Sequence, residues 1–183
     1  MKYLKICMYG AASDSIERMY IRQAEQLGKE IAAGGHSLVY GGGASGLMGA
    51  CARGMAAGNG TVIGVIPEFM KEFENINEQC TQLIRTESLA DRKEVMENLA
   101  DAFVILPGGV GTMDEFFQIL TMSYLSRKSA PIVIFNIKGY FDPILGFIDA
   151  GIEKGFIHER LRDMFIVKTT PKGVVAAINK AMK

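Results

Sequence analysis

Only 2 histidines and 3 cysteines occur among the 183 residues, and that scarcity closes off several chemistries. His36 and His158 stand far apart, which weakens any triad or metal site built on histidine. Cys7, Cys51 and Cys80 form no Cys-x-x-Cys pair and no Cys/His cluster of zinc spacing. No metal and no cofactor is therefore expected. An odd number of scattered cysteines suits a reducing cytoplasm. Charge of one sign is also missing: Lys+Arg and Asp+Glu both number 20. Arg127-Lys128 is too short a basic cluster for a nucleic-acid footprint, so no nucleic-acid partner is expected. No apolar run approaches the ~20 residues that a membrane span needs. The start, Met1-Lys2-Tyr3-Leu4-Lys5, leads straight into a strand without a signal-peptide layout. A cytoplasmic chain with no membrane partner is the expectation.

What is present is apolar and rich in glycine. Hydrophobic residues make up 49% and charged residues 22%, a globular balance. The length suits one domain over residues 1–183 with a real core. The pattern predicts strands over 4–9, 37–40, 61–66, 81–85, 102–106, 131–135 and 165–167. Helices are expected after Ser13 or Ser15, and over 47–57, 88–100, 112–125, 140–154 and 173–182. Leu89, Val95, Met96 and Leu99 are expected to face inward, and Met48, Met55, Met96 and Met122 to fill core. His36, in a Gly-Gly-His turn, and His158 are expected at the surface. Residues 68–80 show no period, and a long loop of that kind is often functional. Strands that are continuous apolar runs alternating with helices indicate a parallel sheet covered on both faces. The predicted fold is α/β, a Rossmann-like doubly wound sheet.

Two glycine loops stand between a strand and a helix. Gly41-Gly42-Gly43-Ala44-Ser45-Gly46 matches G-x-G-x-x-G in form. It follows the second strand rather than the first, and Glu68 lies slightly too far along to be the acidic partner of a dinucleotide. This loop reads either as a tight structural turn or as a phosphate or ribose loop that uses Gly41, Gly42, Gly43 and Gly46. No Gly-Lys-Ser/Thr ending follows, which excludes a triphosphatase loop.

The second loop is Pro107-Gly108-Gly109-Val110-Gly111-Thr112-Met113-Asp114-Glu115. Gly108, Gly109 and Gly111 permit positive φ and close approach to an anion. Helix-start N–H groups and the positive dipole end favour phosphate there. On spacing alone, Asp114 and Glu115 read equally as first-turn carboxylates favoured by the dipole or as working groups. Arg92-Lys93 opens the preceding helix and reads either as a solvated pair or as the cation of a shared site.

Taken together, the strings 41–49, Arg92-Lys93 and 107–115 resemble the LOG ("Lonely guy") family of cytokinin riboside 5′-monophosphate phosphoribohydrolases. Some relatives carry the label lysine decarboxylase, but no pyridoxal-phosphate lysine is discernible. The resemblance runs from Cys7 to about Phe156. It implies hydrolysis of the N-glycosidic bond of a nucleoside 5′-monophosphate, AMP or an N6-substituted AMP, to free base and ribose 5-phosphate. It implies Arg92 and Glu115 as the essential pair. Gly108, Gly109, Val110, Gly111, Thr112, Met113 and Asp114 would serve as the substrate loop, with Glu74, Lys93 and Thr121 as further contacts. It also implies a homodimer with the site near the subunit interface. Leu89, Met122 and Gly10-Ala11-Ala12 depart from the family pattern around the base pocket. A non-catalytic nucleotide carrier, akin to molybdenum-cofactor carriers of similar fold, is the alternative.

Overall fold

The computed structural model describes residues 3–73 and 75–183. Seven strands form one parallel sheet: β1 (Lys5–Tyr9), β2 (Ser37–Tyr40), β3 (Val62–Pro67), β4 (Gln82–Thr86), β5 (Ala102–Ile105), β6 (Ile132–Phe135) and β7 (Ile166–Lys168). Their order is β4-β3-β2-β1-β5-β6-β7. Among the described residues, five α-helices lie between strands, α1 (Arg18–Ala33), α2 (Gly46–Ala57), α3 (Leu89–Leu99), α4 (Val110–Tyr124) and α5 (Asp142–Glu153), and α6 (Pro171–Ala181) follows β7.

The continuous apolar strands have a simple cause. Successive side chains point to opposite faces. Ile6 and Met8 of β1 join one core, whereas Cys7 and Tyr9 join the other. The first core is closed by Ala24, Leu27 and Ile31 of α1, by α2, and by Val174 and Ile178 of α6. The second is closed by Met96 of α3 and by Phe116, Ile119 and Leu120 of α4, with Ile144 and Leu145 of α5 against it. Both faces are dry, so neither face of the sheet carries a polar alternation.

The chain leaves β1 toward β2 on one side, and later returns to place β5 on the other. β1 and β5 therefore flank the switch point, where the loops following their carboxyl ends diverge and leave a crevice. Those loops are residues 10–17 and 106–109. They are tied by Ala11 N–H donating to the Pro107 carbonyl at 3.1 Å.

Several local expectations change. α1 starts at Arg18 with Glu17 as its N-cap residue, and neither Ser13 nor Ser15 caps it; Ser13 instead accepts from the Ser15 N–H. α4 starts at Val110, two residues early, so Asp114 and Glu115 lie beyond its first turn. Residues 68–73 hold a 3-10 turn over Glu68–Glu72, and Ile76 forms an antiparallel bridge with Gly43. His36 is buried at 2% exposure, its Nε2 3.0 Å from Asn179 Oδ1, because α6 covers the start of β2. Leu89 is exposed rather than inward, since α3 turns Arg92 and Met96 to the protein instead. Met122 also reaches the surface while Met48, Met55 and Met96 fill core.

Candidate active site

α3 and α4 start from the same edge of the sheet and run side by side. Ser88 caps α3 by accepting from the Asp91 N–H, and the Asp91 carboxylate returns the bond to the Ser88 N–H at 3.1 Å. That box fixes the first turn. Arg92 follows, one turn before Met96, on the buried side of α3. Its guanidinium Nη2 lies 3.7 Å from Glu115 Oε1 on the second turn of α4, and both side chains are nearly nine-tenths buried. Outside that pair, Lys93 Nζ meets Asp114 Oδ2 at 2.9 Å. Further down, Gln118 Nε2 donates to Glu97 Oε1 at 2.5 Å. Three successive cross-links thus hold the two helices in one register.

A cavity of about 260 Å³ opens onto the Arg92–Glu115 pair. Gly10, Ala11, Ala12 and Ser13 form one wall, Gly109, Gly111 and Thr112 the other, with Met48 at the back. Gly109 is the N-cap position of α4, so no side chain covers the first N–H groups, and the first turn carries no acidic residue. An anion-binding helix start is the result.

The loop glycines are needed for a different reason than backbone freedom. None of Gly108, Gly109 or Gly111 has positive φ. A Cβ at Gly108 would sit 2.1 Å from Thr112 Oγ1. A Cβ at Gly109 or Gly111 would meet no atom of the protein within 4 Å. Those two glycines leave open space in the cavity rather than relieve crowding inside the chain.

The first glycine loop is used otherwise. Gly42 and Gly46 do have positive φ. Gly46 N–H donates to Asp14 Oδ1 at 2.9 Å, and the Ala44 N–H donates to the Asn75 carbonyl at 2.7 Å. Leu47 and Met48 N–H both reach the Ala11 carbonyl. The first N–H groups of α2 are thus bonded by the chain itself, as in a tight structural turn. Those bonds, first the Gly46 N–H and then the Ser45 side chain, hold the Asp14 carboxyl below its usual range. Of this loop, Gly43 and Ser45 line an adjoining cavity of about 320 Å³, with Asp14, Phe73 and Asn75.

The remaining expected residues divide. Thr112 is buried at the cavity, while Val110 is 88% exposed on the outside of α4. Met113 packs against the second core, away from the cavity. Asp114 and Lys93 pair at the rim. Thr121 is exposed, about 9 Å further along α4 than Glu115 and roughly 1.7 turns round it, so one chain does not bring it to the cavity. Glu74 lies outside the described residues. Gly10-Ala11-Ala12 and Met48 are marked only through the family pattern, and the position of β1 at the switch point brings them to the cavity.

Beneath the pair, Tyr9 Oη is buried near the Cys7 thiol. Burial pushes both the Tyr9 phenol and the Cys7 thiol well above their ordinary ranges, so both stay neutral. Glu97 is also raised, first by burial and against the Gln118 bond. Among the described residues no three His, Cys, Asp or Glu side chains are grouped to hold a metal ion, and no helix is long and apolar enough to cross a membrane.

Comparison with known proteins gives the following. Residues 48–178 match the family described as "Possible lysine decarboxylase". The chain is 41% identical over 160 residues to the cytokinin riboside 5′-monophosphate phosphoribohydrolase of Rhodococcoides fascians, covering 87% of this chain and 81% of that protein. It is 35% identical over 179 residues to the protein of the same name, LOG, from Oryza sativa subsp. japonica, covering 98% and 74%. Among solved structures, the molybdenum cofactor carrier protein of Chlamydomonas reinhardtii superposes with a TM-score of 0.75 at 22% identity, covering 99% of each chain. The molybdenum cofactor binding protein of Rippkaea orientalis superposes with a TM-score of 0.70 at 18% identity, covering 99% of this chain and 97% of that one. At those identities the likeness is one of fold.

Proposed function

The chain belongs to the LOG family of phosphoribohydrolases, and from that premise we propose that it hydrolyses the N-glycosidic bond of a nucleoside 5′-monophosphate, AMP or an N6-substituted AMP. The products are the free base and ribose 5-phosphate. The observation that carries this reading is the buried Arg92–Glu115 pair at one end of a cavity whose other end is the uncovered start of α4.

In the proposed mechanism the 5′-phosphate rests on the N–H groups at residues 110–112, in the space beside Gly109 and Gly111. Anchoring there orients the sugar without touching the bond that breaks. Cleavage builds positive charge on the anomeric carbon, and the Glu115 carboxylate stabilises that charge or directs the attacking water. Arg92 holds Glu115 in place across the buried pair. Water supplies the hydroxyl at the anomeric carbon and the base leaves with the glycosidic electron pair and a proton. The base extends toward the adjoining cavity at Asp14, Ser45 and Asn75, next to position 74.

The homodimer belongs to the same reading. Leu89, Val110, Met122 and Leu125 are exposed apolar side chains at α3 and α4, the two helices that carry the pair. A face buried there between two copies sets the site beside the interface and gives Thr121 of α4 a place near a neighbouring cavity. Three unpaired thiols support a cytoplasmic location. The carrier alternative rests on fold alone.

Incubation of the purified protein with AMP and with isopentenyladenosine monophosphate, followed by detection of free base, tests the reading. Base release is expected from at least one nucleotide. Glu115→Gln and Arg92→Ala should each lower kcat on the order of 10²-fold or more, with the fold intact by circular dichroism. Tight nucleotide binding with no base released from either substrate would favour the carrier.

A further inference from the structure

Gly41 follows β2 and precedes the two loop positions with unusual backbone. Its own φ is ordinary, so its conformation does not call for glycine. What requires glycine is space. A Cβ at position 41 would lie 2.0 Å from Arg92 Nη2, 3.0 Å from Arg92 Cζ and 3.1 Å from Met48 Sδ. All three atoms sit toward the free ends of flexible side chains. Gly46, in the same loop, makes the contrast: its Cβ would strike backbone, at 2.4 Å from the Ala11 carbonyl oxygen and 2.6 Å from the Ala12 carbonyl carbon. The fold needs glycine at 46, whereas at 41 the crowding is with side chains that can swing aside.

Arg92 is open to such displacement. Its Nε is buried without a hydrogen-bond partner, and its Nη2 stands at 3.7 Å from Glu115, longer than a close ion pair. Close packing against the Gly41 backbone helps set where this guanidinium rests. The backbone of Gly41 on one side and the Met48 thioether behind form its seat.

We infer that Gly41 is a positioning residue: its missing side chain is the slot that holds the Arg92 guanidinium against Glu115. This rests on the proposed role of Arg92, and it removes Gly41 from the residues expected to touch phosphate or ribose. An alanine there swings the guanidinium out of line with Glu115 and leaves the sheet and helices in place. A misplacement of about 1 Å costs a well-oriented site on the order of 10²-fold in rate.

The test is a mutant cycle on the full chain with Gly41→Ala, Arg92→Ala and the double variant. The readouts are kcat, KM and melting temperature with the nucleotide that the wild type cleaves. Gly41→Ala should lower kcat on the order of 10²-fold with KM and melting temperature little changed. On the Arg92→Ala background the same change should cost nothing more. An undiminished kcat overturns the inference. So does an equal loss in both backgrounds, or a variant that fails to fold, because each places the contact somewhere other than the guanidinium. Should the wild type release no base, the function falls but the slot is still read directly. The Arg92 Nε–H resonance, identified by its loss in Arg92→Ala, should shift in Gly41→Ala, and an unmoved resonance overturns the inference.

Discussion

At the scale of single residues, glycine serves three different purposes within one site. Gly46 is held by backbone crowding and positive φ, Gly41 by a neighbouring guanidinium, and Gly109 by nothing in the chain. The last case yields a clean prediction. Gly109→Ala adds a methyl group to open space, so the melting temperature should hold. The same methyl fills part of the proposed phosphate seat, so KM for the nucleotide should rise about tenfold or more, roughly 1.4 kcal/mol or more of lost binding. Steady-state kinetics beside a thermal melt separates the two effects. An unchanged KM would move the phosphate elsewhere. The sequence made these glycines visible as a group, because each of their two loops lies between a strand and a helix. It hid their separate reasons, since φ and the distance to a side chain 51 positions away are properties of the folded chain. His36 shows the same limit: a Gly-Gly-His turn looks solvated until α6, far along the chain, covers it.

At the scale of elements, the decisive feature is the register between α3 and α4. Lys93 with Asp114 and Glu97 with Gln118 repeat the offset of 21 residues, and the Arg92–Glu115 pair lies beside them. Both helices were legible from their apolar spacing and their strands. The register was not, because it depends on where α4 begins, and that helix starts at Val110, two residues ahead of the threonine. Glu97 provides a test of this packing. Burial raises its folded pKa above the ordinary glutamate value of 4.5. A raised carboxyl contributes stability that is present below the unfolded pKa and lost as pH rises through the folded one. Ionised Glu97 is therefore a cost at neutral pH, and Glu97→Gln removes it while keeping an acceptor for Gln118. Melting temperatures should coincide for the two proteins near pH 4, and the variant should become the more stable as pH rises above that. A gap of the opposite sign, or one that does not change with pH, would mean that Lys93 and Lys128 compensate the buried charge.

At the scale of the whole molecule, function is a consequence of strand order. β1 lies at the middle of the sheet with β2 and β5 on either side, so the loops after β1 and β5 face one crevice. Continuous apolar strands alternating with helices announced a doubly wound sheet but not which loops would meet, so residues 10–12 were marked only as a departure from the family pattern. On α4 and its C-cap residue, Val110, Asp114, Phe117, Thr121 and Leu125 recur at spacings of three and four, which puts them along one stripe. Leu125 and Val110 stay exposed at its ends. If this stripe is the face between two copies, light scattering should give twice the 20.0 kDa of one chain. Leu125→Lys should then shift the mass toward one chain, with the second core unperturbed because Leu125 takes no part in it. Activity should fall with the dimer, since the cavity would lose whatever the neighbouring α4 adds near Thr121. A fully active single chain would remove Thr121 from the site altogether and leave Arg92, Glu115 and the α4 start sufficient for the reaction.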